Sequence, residues 1–314
     1  MPEFTPTAHL PTGPDGSRSP GIWSPTLEVT PQESERCDSA ITMAESSVVR
    51  SERRGPGRNL LVPGLDPTAP YFSRLSARSA MFTELHLLLE GERRLLSSVE
   101  YRSLVEDENK LTRRSSSARK KLWKELKSRY RLDAADPLFA AFWAEWRRCH
   151  SDAERGLTAY VLLALNDHLV ADLGTEWLLP LLRRAPAELR VADIHAFIDR
   201  AKTSHPEVRG WSDETRLTVA QKYSASIRDF GLAKGTARKT TVRPALYGSP
   251  IRLLVRALRL AGVAPLDLVR AHAFRLLGLD GSEVIDALGE LNRAGALRFR
   301  MQGDVVELDV TESR

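Results

Sequence analysis

From Tyr71 onward the apolar side chains return at helical spacing in one stretch after another, and this period restricts the chain to a mainly helical fold. The sharpest case follows Asp136, a residue suited to cap a helix. Pro137 then occupies the first turn, where its missing N–H costs nothing, and Phe139, Phe142, Trp143 and Trp146 recur at i, i+3, i+4 and i+7. That stripe reads as core rather than as a platform for stacking bases. Upstream, the pattern predicts helices over 76–90, closed by Gly91, over 98–108, and over 115–132, the last with Ser115 to Ser117 offering cap hydroxyls. Downstream it predicts helices over 153–172, 175–184 and 192–202. Another is opened by Ser212, with Asp213 and Glu214 in its first turn, and closed at Gly231. Residues 250–261, 265–277 and 282–294 repeat the helical period. The period then changes to two: Leu297, Phe299 and Met301 alternate, Gln302-Gly303 can turn, and Val306, Leu308 and Val310 alternate back as a β-hairpin. The expected fold is mainly α, a multi-helix protein with helix-turn-helix-like units and a small, winged-helix-like C-terminal hairpin.

At 314 residues the chain exceeds what a single core usually serves, and composition supplies the boundaries. Residues 1–70 hold 11 of the 18 prolines and six glycines without apolar periodicity, and read as a disordered segment. The remainder divides into a basic helix-turn-helix-like unit over 71–135, a helical core over 136–230, a basic loop or short hairpin over 231–249, and a winged-helix-like unit over 250–314. The longest apolar run, Leu157 to Leu165, is broken by Asn166, Asp167 and His168, well short of the roughly 20 residues that cross a bilayer. No basic-then-apolar leader opens the chain, so the expected compartment is the cytoplasm. Cys37 and Cys149 are too far apart to suggest a disulfide framework. His150 beside Cys149 lacks a second ligand pair, and the seven histidines are scattered, so no metal or cofactor is expected.

Net charge is only +5, but its distribution is uneven. Residues 109–131 carry ten bases (Lys110, Arg113, Arg114, Arg119, Lys120, Lys121, Lys124, Lys127, Arg129 and Arg131) against one acid, Glu125. On a helix, Ala118, Leu122, Trp123, Leu126 and Tyr130 fall in one arc, while Lys120, Lys124, Lys127 and Arg131 line the opposite side. One face would pack and the other would follow phosphates, with Arg113, Arg114, Ser115, Ser116, Ser117 and Arg119 near the helix start, where hydroxyls and free N–H groups reach a duplex. The bland alternative is a solvated charged face, but such faces normally mix signs. A second basic segment, Lys234, Arg238, Lys239 and Arg243, followed by Arg252, Arg256 and Arg259 on one helix face, reads either as a wing reaching a groove or as a basic linker. The C-terminal unit is acidic, with Glu283, Asp286 and Glu290 on its last helix, and would be repelled by phosphates. In its hairpin, a turn at Gln302-Gly303 would set Arg298 opposite Glu307.

Enzymatic signatures are missing: no phosphate-cradling glycine loop, no G-x-S-x-G and no H-E-x-x-H. Asp107 with Glu125-Leu126-Lys127 imitates a nuclease spacing, but that arrangement needs a strand, where i and i+2 share a face. The chain is therefore expected not to be an enzyme. An assembly adaptor whose basic face meets an acidic protein, and an RNA binder, are the other readings. The latter is weakened by the lack of exposed aromatic pairs.

The order of several short segments resembles the BrxA family of BREX bacteriophage-exclusion systems: Tyr71-Phe72-Ser73-Arg74-Leu75, the run from Glu108 to Trp123, Arg129-Tyr130, Trp211-Ser212 with Thr215, and Phe230-Gly231-Leu232. The resemblance implies a helical protein with helix-turn-helix-like parts that binds double-stranded DNA and works beside other BREX components, without catalytic residues of its own. The proline-rich N-terminus departs from the family's compact form.

Overall fold

The structure is a computed structural model that describes residues 60–310, which belong to one packed unit; of the segment expected to be disordered, residues 1–59 lie outside the described residues, whereas residues 60–70 are ordered, with a 3-10 turn at Pro63–Leu65 and with Val62 and Ala69 buried. The architecture is mainly helical, with two small antiparallel sheets. A 3-10 turn at Arg74–Ser76 leads into α1 (Phe82–Leu89), which begins later than the period predicts. The cause lies in the preceding backbone. Carbonyls of Arg74, Arg78 and Ser79 accept hydrogen bonds from the Arg129 guanidinium, and the Ala80 carbonyl accepts from the Tyr130 hydroxyl. Groups that a helix would satisfy internally are met by side chains instead.

α2 (Ser98–Glu106) starts with a capping box in which Ser97 accepts from the Glu100 N–H and the Glu100 carboxylate accepts from the Ser97 N–H. α3 (Ser116–Tyr130) is capped by Ser115 and ends where Arg131 turns left-handed, φ 56°. α4 (Pro137–Trp146) is capped by Asp136, which accepts from the N–H groups of Leu138 and Phe139. Its four predicted aromatics are all buried. α5 (Asp152–Asn166) is the core of the fold: every residue from Gly156 to Asn166 is buried.

One long helix was expected over 153–172, but Asp167 adopts extended backbone and its carboxylate caps α6 (His168–Asp172) through the Val170 N–H. A π-helical stretch, Leu173–Leu178, joins α6 directly to α7 (Leu179–Arg183). β1 (Glu188–Leu189) and α8 (Val191–Arg200) follow, then α9 (Asp213–Asp229), capped by Ser212 as the sequence predicts and closed before Gly231. The basic loop is the short hairpin of β2 (Ala233–Lys234) and β3 (Lys239–Thr241). β1, forty-odd residues upstream, adds to it in the order β1-β3-β2.

α10 (Gly248–Leu260) packs on α4 and α5. After α11 (Pro265–Val269) and a 3-10 turn, His272–Leu277, come α12 (Ser282–Arg293), β4 (Arg298–Gln302) and β5 (Val305–Asp309). The terminal hairpin turns at Gly303-Asp304 rather than at Gln302-Gly303, because Gly303, φ 59°, takes the left-handed position that a two-residue turn demands. Arg298 therefore pairs across from Asp309, and Glu307 faces Arg300. The slip is two residues, which preserves the face, so Arg298 still reaches Glu307 diagonally at 3.6 Å. Among the described residues no helix is long and apolar enough to cross a membrane.

Candidate nucleic-acid interface

α3 is held by its apolar side. Leu122, Trp123, Leu126 and Tyr130 are buried, and the helix packs on α2 and α5. The opposite side carries Lys120, Lys121, Lys124 and Lys127, all exposed. The Lys127 ammonium lies 5.9 Å from the centroid of the Trp123 ring, so its stem covers the rim of the buried indole. At the helix start Ser115 is committed to its cap, accepting from the Ala118 N–H at 3.1 Å, whereas Arg114, Ser116 and Ser117 are exposed. Arg119 is half-buried, with its Nε enclosed and without a hydrogen-bond partner among the described residues.

The remaining bases of this run serve the fold. Lys110 donates to the carbonyls of Leu88 and Glu90 and pairs with Glu92 at 2.7 Å. Arg113 pairs with Glu84 at 2.8 Å. Arg129 is 1% exposed and binds the Glu125 carboxylate in addition to the three carbonyls already described. Arg131, expected at the end of the lysine stripe, is drawn inward: its Nε lies 2.6 Å from Asp136 Oδ2, and its Nη1 donates to Asn166 Oδ1. The left-handed turn at Arg131 takes its side chain off the helix line, which helical periodicity alone does not foresee. These pairs engage Glu84, Glu125 and Asp136, while the exposed outer face of α3 carries the four lysines.

The second basic segment divides in the same way. Lys234 and Arg238 are exposed on the β2–β3 hairpin and Lys239 is half-buried, while Arg243 is exposed and lies 3.6 Å from Glu283. The turn is tight: at Gly235, φ 96°, an added Cβ would lie 2.1 Å from the Arg238 carbonyl oxygen. On the arginine face of α10, Arg252 is buried, Arg256 half-buried and Arg259 exposed. Arg252 and Arg256 bind Glu145, which has no exposed surface, at 2.6 and 3.1 Å, and Arg259 binds Asp309 of β5. These three arginines fasten α10 to its neighbours. The hairpin is carried by α9 and β1 and the lysine face by α3 on α2 and α5, so the two basic segments stand on different supports.

Two further expectations meet the structure here. Cys149 is buried, its thiol against Thr158 and the Glu145 carbonyl, with burial pushing its pKa up, while the neighbouring His150 is exposed. Cys37 lies outside the described residues. The histidines are not all scattered: His168 and His205 converge on Asp172. Spacing hinted at only part of this, since His168 and Asp172 stand at i and i+4 while His205 arrives from a distant loop.

No curated protein and no solved structure matches the chain. The BrxA family model, however, matches residues 69–256, from just before Tyr71 through most of α10, and so spans the lysine face, the buried aromatic helix and the Glu145 cluster. With more than half of its length matched, the chain belongs to the BrxA family and is a component of a BREX anti-phage defence system.

Proposed function

We propose that this BREX component is a non-enzymatic, cytoplasmic DNA-binding protein that tracks the duplex backbone with the outer face of α3. The observation that carries the reading is the concentration of one sign on that face: Lys120, Lys121, Lys124 and Lys127 are exposed together, and Glu84, Glu125 and Asp136 pair with Arg113, Arg129 and Arg131. Lysines presented this way act as flexible point charges suited to phosphates rather than to base edges, so the binding is expected to be weakly selective for sequence. Ser116, Ser117 and Arg114 extend the contact around the helix start, and Lys234, Arg238, Lys239 and Arg243 offer a second, independent strand of contacts.

A salt titration of the purified chain against unrelated duplexes tests this. Affinity should fall steeply with salt for every sequence, and replacing Lys120, Lys124 and Lys127 with alanine should flatten the dependence by about 0.9 in slope per lost phosphate contact. Unchanged affinity in the folded triple variant would remove α3 as the DNA face. No binding at low salt by the parent chain would favour an adaptor whose basic face docks an acidic component of the same complex.

A further inference from the structure

His168 opens α6, Asp172 follows one turn later, and His205 comes from the loop after α8. Each offers a ligand atom, and these atoms lie within 4.8 Å of one another. They line a cavity of about 860 Å³ together with Asp66, Tyr71 and Glu176. The hydrogen bonds around the two imidazoles are arranged in the same way. His168 Nδ1 lies 2.5 Å from the Ala69 carbonyl oxygen, and His205 Nδ1 lies 3.2 Å from Glu207 Oε1. A proton on each Nδ1 satisfies those acceptors and leaves each Nε2 with its lone pair. For His168 that nitrogen is 3.2 Å from Asp172 Oδ2, about the separation of two donor atoms that share one tetrahedral ion.

We propose that His168, Asp172 and His205 bind a divalent transition-metal ion of the Zn²⁺ class, with a fourth coordination position open to the cavity. Two imidazoles and a single carboxylate suit a borderline-soft ion and not Mg²⁺ or Ca²⁺, which require mostly oxygen. The outer partners have the form that orients metal-bound histidines: a backbone carbonyl behind one ring and a carboxylate behind the other. Asp172 is held as well, accepting from the Tyr71 hydroxyl at 2.5 Å. The Tyr71 ring stacks on His205 with centroids 3.5 Å apart and planes within 11°, which fixes the imidazole while leaving its in-plane lone pair accessible. Bound metal would therefore tie the Tyr71 segment to α6 and to the loop before α9.

The test uses the full chain, stripped with a chelator and then titrated with Zn²⁺ in competition with a chromogenic chelator, and with Co²⁺ followed by its visible absorption. One ion per chain, a cobalt ligand-field band and a rise in Tm on saturation with Zn²⁺ are expected. His205→Gln and Asp172→Asn, checked for native circular dichroism, should each weaken binding at least tenfold. Should Asp172→Asn fail to fold, His205→Gln and the parent cobalt spectrum decide. Loading of fewer than one chain in ten, equal binding of Mg²⁺, or unweakened Zn²⁺ binding by folded His205→Gln would overturn the proposal. The last of these would place the ion on other residues.

Discussion

Arg129 and Lys127 stand two positions apart in the same basic run, yet one is sealed inside the fold and the other faces solvent. The difference follows from what each can satisfy. The Arg129 fork reaches three backbone carbonyls in the stretch from Arg74 to Ser79 ahead of α1, together with Glu125, a set that an ammonium on a flexible stem does not reproduce. Arg129→Lys should therefore lower unfolding stability by about 2–3 kcal/mol in urea denaturation, because buried carbonyls lose charged donors. Lys120→Ala, on the exposed face, should change stability by less than about 0.5 kcal/mol. Equal effects of the two substitutions would contradict the division between structural and phosphate-facing bases.

Elements were legible in the sequence wherever local chemistry decides them. Ser115, Asp136 and Ser212 each cap the helix they were expected to open, and the aromatic stripe of α4 is buried as its period requires. What the sequence did not show depends on distant partners: the late start of α1, owed to Arg129 and Tyr130; the inward turn of Arg131; the pairing of β1 with β3; and the convergence of His205 on His168. Glycines make the same point. Gly156 lies inside α5 and Gly289 inside α12, and by helix propensity alone alanine would improve both, by roughly 0.5–1 kcal/mol. At Gly156, however, an added Cβ would meet the Phe230 carbonyl oxygen at 2.8 Å, whereas at Gly289 the nearest atom is the flexible Arg293 Nη1 at 3.7 Å. Gly289→Ala should therefore stabilise, and Gly156→Ala should destabilise by about 1–2 kcal/mol as α5 is forced from the end of α9. Thermal denaturation of the pair reads the two signs directly.

For the whole molecule, the boundary expected at residue 250 falls within α10. α10 lies against both α4 and α5, and Ile251, Leu253, Leu254, Val255, Ala257 and Leu258 are all buried. Its arginines complete a charge cluster whose centre, Glu145, has no exposed surface and also holds Arg148 at 3.1 Å. Removing α10 would uncover that apolar face and leave Glu145 without two of its cations, a loss of the kind that costs about 3–5 kcal/mol for a buried pair alone. The apolar surface adds to this, and the sum is comparable to the entire stability of an ordinary domain, about 5–15 kcal/mol. A fragment ending at residue 249 should accordingly lack a cooperative unfolding transition and bind hydrophobic dyes, while the complete chain unfolds in one step through the region from residue 59 onward. A sharp calorimetric transition in the shorter fragment would mean that the region before α10 carries a core of its own. The lysine face of α3 could then be studied apart from the C-terminal elements.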